Sequence, residues 1–261
     1  MIVLVNRKIE EQIMDSVIVE HFSKRVNNYG KKNNWVSDIN ILNRIKELIP
    51  NNAKIILDEG AGTGAVSCFL EAEIKDCNIT AIDTCQEMLE SIKNSNINKV
   101  VASVDSLPFD DGTFDLIVSR QCFHYVKNLH VVCEEIKRVL KPGGVFILAQ
   151  IVPYDLITQP YWEVLMRIRQ ELRIYAWAEE QWLDFFKSEG FLLLGKSNYM
   201  HESSVETWKN SYSIDDKEKI KAFTEILMQC DDSFKKKYNV KISDGNIFYN
   251  SYWLIASFCI R

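Results

Sequence analysis

One segment predicts the fold most directly: Ile55-Ile56-Leu57-Asp58-Glu59-Gly60-Ala61-Gly62-Thr63-Gly64. In it, an apolar run leads into three alternating glycines. The apolar run predicts a buried strand, and the residues after Gly64 predict a helix. Glycine at such a turn lets the backbone bend tightly and approach a ligand without a Cβ in the way. Ligands of open α/β sheets bind beyond the carboxyl ends of the strands, where this glycine loop lies. We therefore expect the loop to line a ligand site.

Short apolar segments alternate with helical segments on both sides of this loop. The predicted strands are Lys54–Asp58, Asn78–Asp83, Lys99–Ser103, Phe114–Ser119, Val145–Val152, Phe191–Leu194 and Ile247–Ile260. Strands that alternate with helices indicate parallel βαβ units with right-handed crossovers. The sequence therefore predicts an open, doubly wound α/β sheet.

The alternation is interrupted twice, and it is preceded by helical patterns. We expect residues 1–50 to form an N-terminal helical segment that closes over the ligand, and residues 51–261 to form the main domain. Within that domain, residues 153–178 and 203–243 predict two helical inserts. The first insert leaves the fifth strand at the ligand edge of the sheet, so we expect it to cap the site.

Composition and charge exclude several classes of protein. The chain has 261 residues, 47% of them hydrophobic, and a net charge of −5. A general nucleic-acid binder would need a basic surface, and a membrane span would need an apolar run of roughly 18 residues. The seven cysteines form no C-x-x-C pair, which indicates reduced thiols and no metal site. We expect a cytoplasmic protein without a nucleic-acid or membrane partner.

A carboxylate ends the second predicted strand, about twenty residues beyond the glycine loop. This residue, Asp83, stands where an acidic side chain accepts hydrogen bonds from the ribose hydroxyls of a nucleoside. The glycines alone leave two alternatives open. The pattern Gly60-x-Gly62-x-x-Ala65 also satisfies a dinucleotide fingerprint, and a tight turn needs no ligand at all.

Four ordered segments carry a resemblance to a known family. They are LDEGAGTG from Leu57, AIDTCQEML from Ala81, SLPFDDGTFDLIVSR from Ser106 and VLKPGGVFIL from Val139. The chain resembles class I S-adenosylmethionine-dependent methyltransferases, in particular the branch similar to the ubiquinone/menaquinone C-methyltransferases. The resemblance covers about residues 54–152. It implies a Rossmann-like sheet of seven strands, mostly parallel with the last strand antiparallel, with helices on both faces.

The resemblance also implies a site for S-adenosylmethionine. The glycine loop is expected to hold the methionine half, with Asp58 near the amino group, and Asp83 is expected to bind the ribose. The backbone of Ser119 is expected to face the methionine amino group, and Met88 to pack on the adenine. The other residues of this predicted site are Tyr29, Gly60, Ala61, Gly62, Thr84, Ser103, Val104 and Asp105.

Two residues depart from the family pattern. Glu59 stands where the family usually has an apolar residue, so its carboxylate needs a partner. Ser103 stands where the family often has an aspartate that accepts from the adenine amino group. A serine hydroxyl is uncharged and reaches less far, so Asp105 is an alternative acceptor.

The acceptor side of the site is less well marked. Trp35, Tyr125 and Trp162 are predicted to line the acceptor pocket, and an aromatic ring at Tyr29 would attract a sulfonium by cation–π interaction. Anchoring of a loop to the core is an equal alternative for Tyr29 and Trp35. His124 is the candidate general base by its chemistry, with pocket lining as the alternative. A base is needed only where the acceptor must lose a proton.

Three other functions stay open at this point. An NAD-dependent oxidoreductase could use the same glycine loop, but it leaves the Leu-Pro-Phe and Lys-Pro-Gly-Gly segments unexplained. A non-catalytic S-adenosylmethionine-binding protein would have no need of cap inserts. An RNA methyltransferase would be expected to carry a basic appended domain.

Overall fold

The computed structural model describes residues 16–27, 29, 35–212 and 217–260. Parts of the predicted N-terminal segment 1–50 and of the second predicted insert therefore lie outside the described residues. The helices are α1 (16–23), α2 (Ile39–Glu47), α3 (Ala65–Glu73), α4 (Gln86–Glu90), α5 (Leu129–Val139), α6 (Gln159–Arg169), α7 (Glu179–Ser188), α8 (Val205–Tyr212), α9 (Lys217–Gln229) and α10 (Asp232–Lys237). Short 3-10 turns cover Trp35–Ser37 and Phe123–Tyr125.

The strands form one mixed sheet. They are β1 (Ile55–Glu59), β2 (Asn78–Asp83), β3 (Ile97–Val101), β4 (Phe114–Arg120), β5 (Leu140–Val152), β6 (Phe191–Ser204), β7 (Lys241–Ser243) and β8 (Asn246–Ile260). The order is β3-β2-β1-β4-β5-β8-β6, with β7 paired to β8. Strands β1 to β5 pair in parallel, and β8 is antiparallel to both β5 and β6. This confirms the predicted Rossmann-like sheet with an antiparallel last strand.

An eighth strand is the difference from the predicted seven. It is β7, which is three residues long, is exposed throughout and joins β8 through a turn at Asp244-Gly245. A strand this short has no apolar pattern that could mark it in the sequence.

Two apolar clusters hold the helices on the two faces of the sheet. Leu57, on β1, belongs to one cluster, while its neighbour Ile56 belongs to the other. This alternation follows from the two-residue period of a strand. Because both faces are covered, the central strands are apolar throughout, and every residue of β5 from Val145 onward is buried.

Strand β6 is much longer than the predicted Phe191–Leu194, because it continues through polar residues to Ser204. It stays paired with β8 as far as Phe248, whereas β5 ends at Val152 opposite Tyr252. The β6–β8 ribbon therefore extends beyond the carboxyl end of the parallel sheet. The residues of β6 after Leu194 are partly polar, so the sequence pattern does not predict that the strand continues through them.

The helices of both predicted inserts pack together beside this ribbon. Trp162 of α6 stacks on Tyr238 with ring centroids 5.0 Å apart. Phe223 of α9 contacts both Trp208 and Tyr249, at 4.8 and 5.7 Å. The inserts are separate in the sequence and form one helical layer in the structure, which is called the cap below. That this layer caps the ligand site stays a prediction. The division of the chain at residue 50 stays a prediction.

Candidate active site

A cavity of about 310 Å³ lies at the carboxyl ends of the parallel strands. One wall is the glycine loop with the end of β2 and the residues after β3. The opposite wall follows β4, and the N-terminal residues Ile18, Phe22, Tyr29, Trp35 and Val36 complete the lining. This is the edge at which the sequence predicts the ligand.

The glycine loop adopts a backbone that side chains disfavour. Gly60 and Gly62 have φ angles of +64° and +54°. A Cβ at Gly60 would lie 2.7 Å from both Cβ and Sγ of Cys122. The loop therefore needs glycine at position 60 for its conformation and for the close approach of the segment after β4.

Asp83 is tied to this loop by hydrogen bonds. Its Oδ2 accepts from the backbone amide of Gly62 at 2.9 Å, and its Oδ1 accepts from the amide of Cys85 at 2.9 Å. Burial raises the pKa of Asp83, while the two amides oppose that shift. Each carboxylate oxygen has a second lone pair, so Asp83, which lines the cavity, can still accept from a ligand.

Asp58 lines the cavity and also accepts hydrogen bonds from within the protein. Its Oδ2 accepts from the amide and the hydroxyl of Ser67, at 3.0 and 2.5 Å, which fixes the start of α3. Burial raises the pKa of Asp58 to about 6, although Ser67 and Arg120 act in the opposite direction. A carboxylate in this position suits a cationic group of a ligand.

The remaining predicted cofactor residues fall into two groups. Tyr29, Ala61, Thr84, Met88, Ser103, Val104 and Asp105 line the same cavity. Ser119 is different, because it is fully buried beneath the wall and its Oγ donates to the backbone oxygen of Glu59 at 3.3 Å. The predicted role of the Ser119 backbone stays a prediction.

Aromatic rings cover the cavity from the N-terminal side. Tyr29 lies edge-to-face against Trp35, with centroids 6.2 Å apart, and Trp35 in turn packs on Trp253. A Cβ added to Gly62 would lie 3.8 Å from the ring of Tyr29. Tyr29 thus faces the glycine loop, and Trp35 both lines the cavity and anchors the segment to the core.

The candidate base His124 lies behind the cavity wall. It is fully buried, its Nδ1 is 2.7 Å from Nε2 of Gln150, and its Nε2 has no hydrogen-bond partner. Burial, with Arg173 and Arg169 nearby, holds the pKa of His124 well below its usual range. Its neighbour Tyr125 lines the cavity. His124 is therefore a neutral residue behind the wall, which favours the packing alternative over a base.

The predicted acceptor residue Trp162 needs a correction. Its side chain is 1% exposed and stacks on Tyr238 inside the cap, and it is not part of the cavity wall. An aromatic residue in an amphipathic helix can face either the site or the interior of its own layer, and here the second insert supplies the interior.

The cavity is also lined by Arg120, Gln121 and Cys122, for which no binding role was predicted. Arg120 ends β4 and the other two residues follow it, so their place at the carboxyl end of a parallel strand is the signal that points to them. The cavity lining also includes Ile18 and Phe22, which lie four residues apart on one face of α1.

The site fits a ligand with a nucleoside and an amino-acid part. Asp83 offers a carboxylate to hydroxyls, Asp58 offers one to an ammonium group, and the bare backbone of the glycine loop allows close approach between them. Within the described ranges, no group of three or more His, Cys, Asp or Glu side chains could hold a metal ion. The same part of the chain has no helix long and apolar enough to cross a membrane.

Comparison with known proteins identifies the domain. Residues 57–148 match a family model described as a methyltransferase domain. An uncharacterized methyltransferase-like protein of Schizosaccharomyces pombe is 29% identical over 206 residues, which are 72% of this chain and 75% of that protein. A human mitochondrial arginine-hydroxylase is 37% identical over 101 residues, but these are 38% of this chain and 29% of that protein.

The fold comparison agrees with the family match. The crystal structure of a Bacillus halodurans protein classed as a methyltransferase has a TM-score of 0.74 and 19% identity, and the match covers 83% of this chain and 97% of that one. At this identity the likeness shows the fold. The shared fold and the domain match over residues 57–148 agree on a methyltransferase domain, and the NAD-dependent alternative is set aside.

Proposed function

We propose that this S-adenosylmethionine-dependent methyltransferase transfers the methyl group to a small-molecule acceptor. The observation that carries the proposal is the covered cavity. The segment after β4, α1 and the Tyr29–Trp35 pair enclose it on the sides that the glycine loop leaves open. A folded macromolecule could not present an internal atom there, whereas a small molecule is enclosed and shielded from water.

S-adenosylmethionine supplies an activated methyl group on a positively charged sulfonium. The chain's own task is to bind, to orient and to exclude water. Asp83 would hold the ribose hydroxyls, Asp58 the amino group and Met88 the adenine face, while Tyr29 closes the site over the glycine loop. Orientation of two bound reactants can account for about 7–11 kcal/mol of the barrier.

We propose that His124 does not act as a general base in this reaction. His124, the candidate base, is buried behind Tyr125 and its pKa is held low by burial. An acceptor that must lose a proton in the transition state would need a base that can reach it. A carbanion-like carbon or an anionic oxygen needs none. This is compatible with the branch similar to ubiquinone/menaquinone C-methyltransferases, to which we assign the chain on its four ordered motifs.

The cysteines and the net charge bear on the compartment and the partners of the protein. All seven cysteines are free thiols, and the net charge is −5. We propose a cytosolic enzyme that acts as a monomer or homodimer, without a nucleic-acid or membrane partner.

Transfer of a labelled methyl group tests the function. The protein is incubated with methyl-labelled S-adenosylmethionine and, separately, with small-molecule, RNA and protein fractions of a cell extract. We expect label in the small-molecule fraction, and less label at the same cofactor concentration with the Asp83→Ala variant. Label in RNA or protein would overturn the small-molecule assignment. Cofactor binding without transfer to any fraction would instead indicate a non-catalytic or hydroxylase-like role, such as the human relative's name suggests for that protein.

A further inference from the structure

Arg120, the last residue of β4, is a buried cation that has no salt bridge in the part of the chain that the structure describes. Arg120 is 9% exposed and lines the cavity. Within the described residues its guanidinium makes one hydrogen bond, from Nη1 to the backbone oxygen of Val36 at 3.0 Å, and it lies 5.3 Å from the ring centroid of Trp35. Asp58 acts on it from beyond ion-pair distance. A buried charge without a close counter-ion is costly, so its retention needs a reason.

The next residue adds an unused donor at the same place. Gln121 is 8% exposed and lines the cavity, and its Nε2 is buried without a hydrogen-bond partner. Its φ angle is +57°, a conformation that a residue with a side chain adopts rarely. The strain is held by the bond from its amide to the oxygen of Ala149 at 3.0 Å. Strained residues with unsatisfied buried groups concentrate at ligand sites.

We infer that Arg120 and Gln121 form a carboxylate-binding site within the cavity. The planar guanidinium matches the geometry of a carboxylate, and the amide of Gln121 adds a neutral donor beside it. The cavity already contains the carboxyl groups of Asp58, Asp83 and Asp105. A singly charged carboxylate is therefore favoured over a doubly charged phosphate, which those groups would repel more strongly.

Two further arginines lie behind this part of the wall. Arg169 and Arg173 are buried, and both act on His124 to lower its pKa. His124 and its partner Gln150 form the layer behind Tyr125. The cavity itself offers the cation of Arg120 and the carboxyl groups of Asp58 and Asp83 to ligand groups of opposite charge.

The inference rests on the proposed function, and two ligands could supply the carboxylate. One is the methionine half of the cofactor, whose amino group would then face Asp58 and whose carboxylate would face Arg120. The other is the methyl acceptor. In the first case the site fixes the cofactor, and in the second it makes the acceptor an organic acid.

Binding measurements on four proteins separate the two sources. They are the wild type, Arg120→Met, Gln121→Met and the control Arg44→Met. Arg44 makes contacts of the same kind outside the cavity, with its guanidinium 5.2 Å from the ring of Tyr199 and a bond to Ser197 at 2.8 Å. Circular dichroism and melting temperature establish that each variant is folded.

Calorimetry with two cofactor relatives tests the first source. S-adenosylhomocysteine has the amino-acid half, and 5′-methylthioadenosine lacks it. If Arg120 binds the cofactor's carboxylate, Arg120→Met lowers the affinity for S-adenosylhomocysteine by about tenfold or more. Gln121→Met lowers this affinity less. Methylthioadenosine and the Arg44→Met control stay unchanged.

Melting shifts by small acids test the second source. Propionate, malonate and benzoate are compared with propionamide and benzamide, with and without S-adenosylhomocysteine. If the acceptor supplies the carboxylate, the acids but not the amides raise the melting temperature of the wild type, and Arg120→Met abolishes the shift while its cofactor affinity is unchanged.

Two outcomes overturn the inference. In one, Arg120→Met leaves both S-adenosylhomocysteine affinity and the acid shifts as in the wild type. In the other, Arg120→Met lowers the affinities for both nucleosides by the same factor and leaves the melting shifts by the acids unchanged. A wild type that binds neither nucleoside contradicts the proposed function instead, and the acid series without nucleoside still decides the role of Arg120.

Discussion

The backbone amide of Gly62 donates to Oδ2 of Asp83 at 2.9 Å, which joins the glycine loop of one strand to the end of the next. The bond spans two βαβ turns that are adjacent because β1 and β2 pair in parallel, with Glu59 opposite Ile82. It holds the carboxylate at the cavity before any ligand arrives. Orientation in advance lowers the entropy that binding must overcome.

The first prediction concerns this carboxylate. Asp83→Ala should lower the affinity for S-adenosylhomocysteine by at least about tenfold, since charge-assisted hydrogen bonds contribute about 1.5–3 kcal/mol each. Asp83→Asn should lose less, because it can still accept from Gly62. Calorimetry measures both, with the exposed Glu218→Gln as control. An unchanged affinity in folded Asp83→Ala would show that the ribose lies elsewhere.

The second prediction separates backbone strain from close approach in the glycine loop. Gly60 and Gly112 have nearly equal φ angles, +64° and +63°, but only at Gly60 would a Cβ meet another residue, Cys122, at 2.7 Å. Gly112→Ala should therefore cost only the conformational strain, about 1–2 kcal/mol, and leave cofactor affinity unchanged.

Gly60→Ala should cost about 1–3 kcal/mol more in stability and also lose cofactor affinity, because the loop or the segment after β4 must move. Urea unfolding and calorimetry measure the two effects. Equal losses in the two variants would mean that the contact with Cys122 relaxes freely.

The third prediction concerns the buried carboxyl of Glu59. It is fully buried and neither oxygen has a hydrogen-bond partner. Burial, and then Asp58 and Glu135, raise its pKa well above the ordinary value of 4.5. The folded state therefore keeps Glu59 protonated in a range where the unfolded chain ionises it.

The sign follows from that difference. A raised pKa contributes stability that is complete below about pH 4.5 and is lost as the pH rises toward the folded-state value, at most about 1.4 kcal/mol per pH unit. Glu59→Gln, which cannot ionise, should be more stable than the wild type at pH 8 and close to it near pH 4.5. Urea unfolding across this range measures the difference. A constant difference at all pH values would show that Glu59 does not titrate there.

The fourth prediction follows from the corrected position of Trp162. Since it stacks on Tyr238 inside the cap, Trp162→Ala should lower the free energy of unfolding by about 3–5 kcal/mol. S-adenosylhomocysteine affinity should stay unchanged in the folded fraction. The control is Ile157→Ala in the same cap, which is 76% exposed and should change stability by less than about 0.5 kcal/mol. A folded variant of wild-type stability would place Trp162 outside the cap interior.

Features that depend on near neighbours could be predicted from the sequence. The glycine loop, the carboxylate of Asp83 and the Lys141–Gly144 segment each lie close to the end or the start of one strand, so spacing marks them. The parallel pairing of neighbouring strands follows, because short right-handed crossovers permit few topologies. Even Met88 could be assigned to the cavity, since it follows closely after the end of β2.

Which side chains face the cavity and which are buried elsewhere could not be predicted from the sequence, because it depends on the tertiary fold. Trp162 and Tyr125 are both large aromatics near the ligand edge, yet only Tyr125 lines the site, because Tyr238 from the other insert occupies the inner face of α6. Arg120 carries no distinguishing pattern, and it became a binding candidate through its burial against Trp35 without an ion pair. Such properties depend on contacts between residues distant in the chain, and a local pattern holds no information about which distant surface will pack against it.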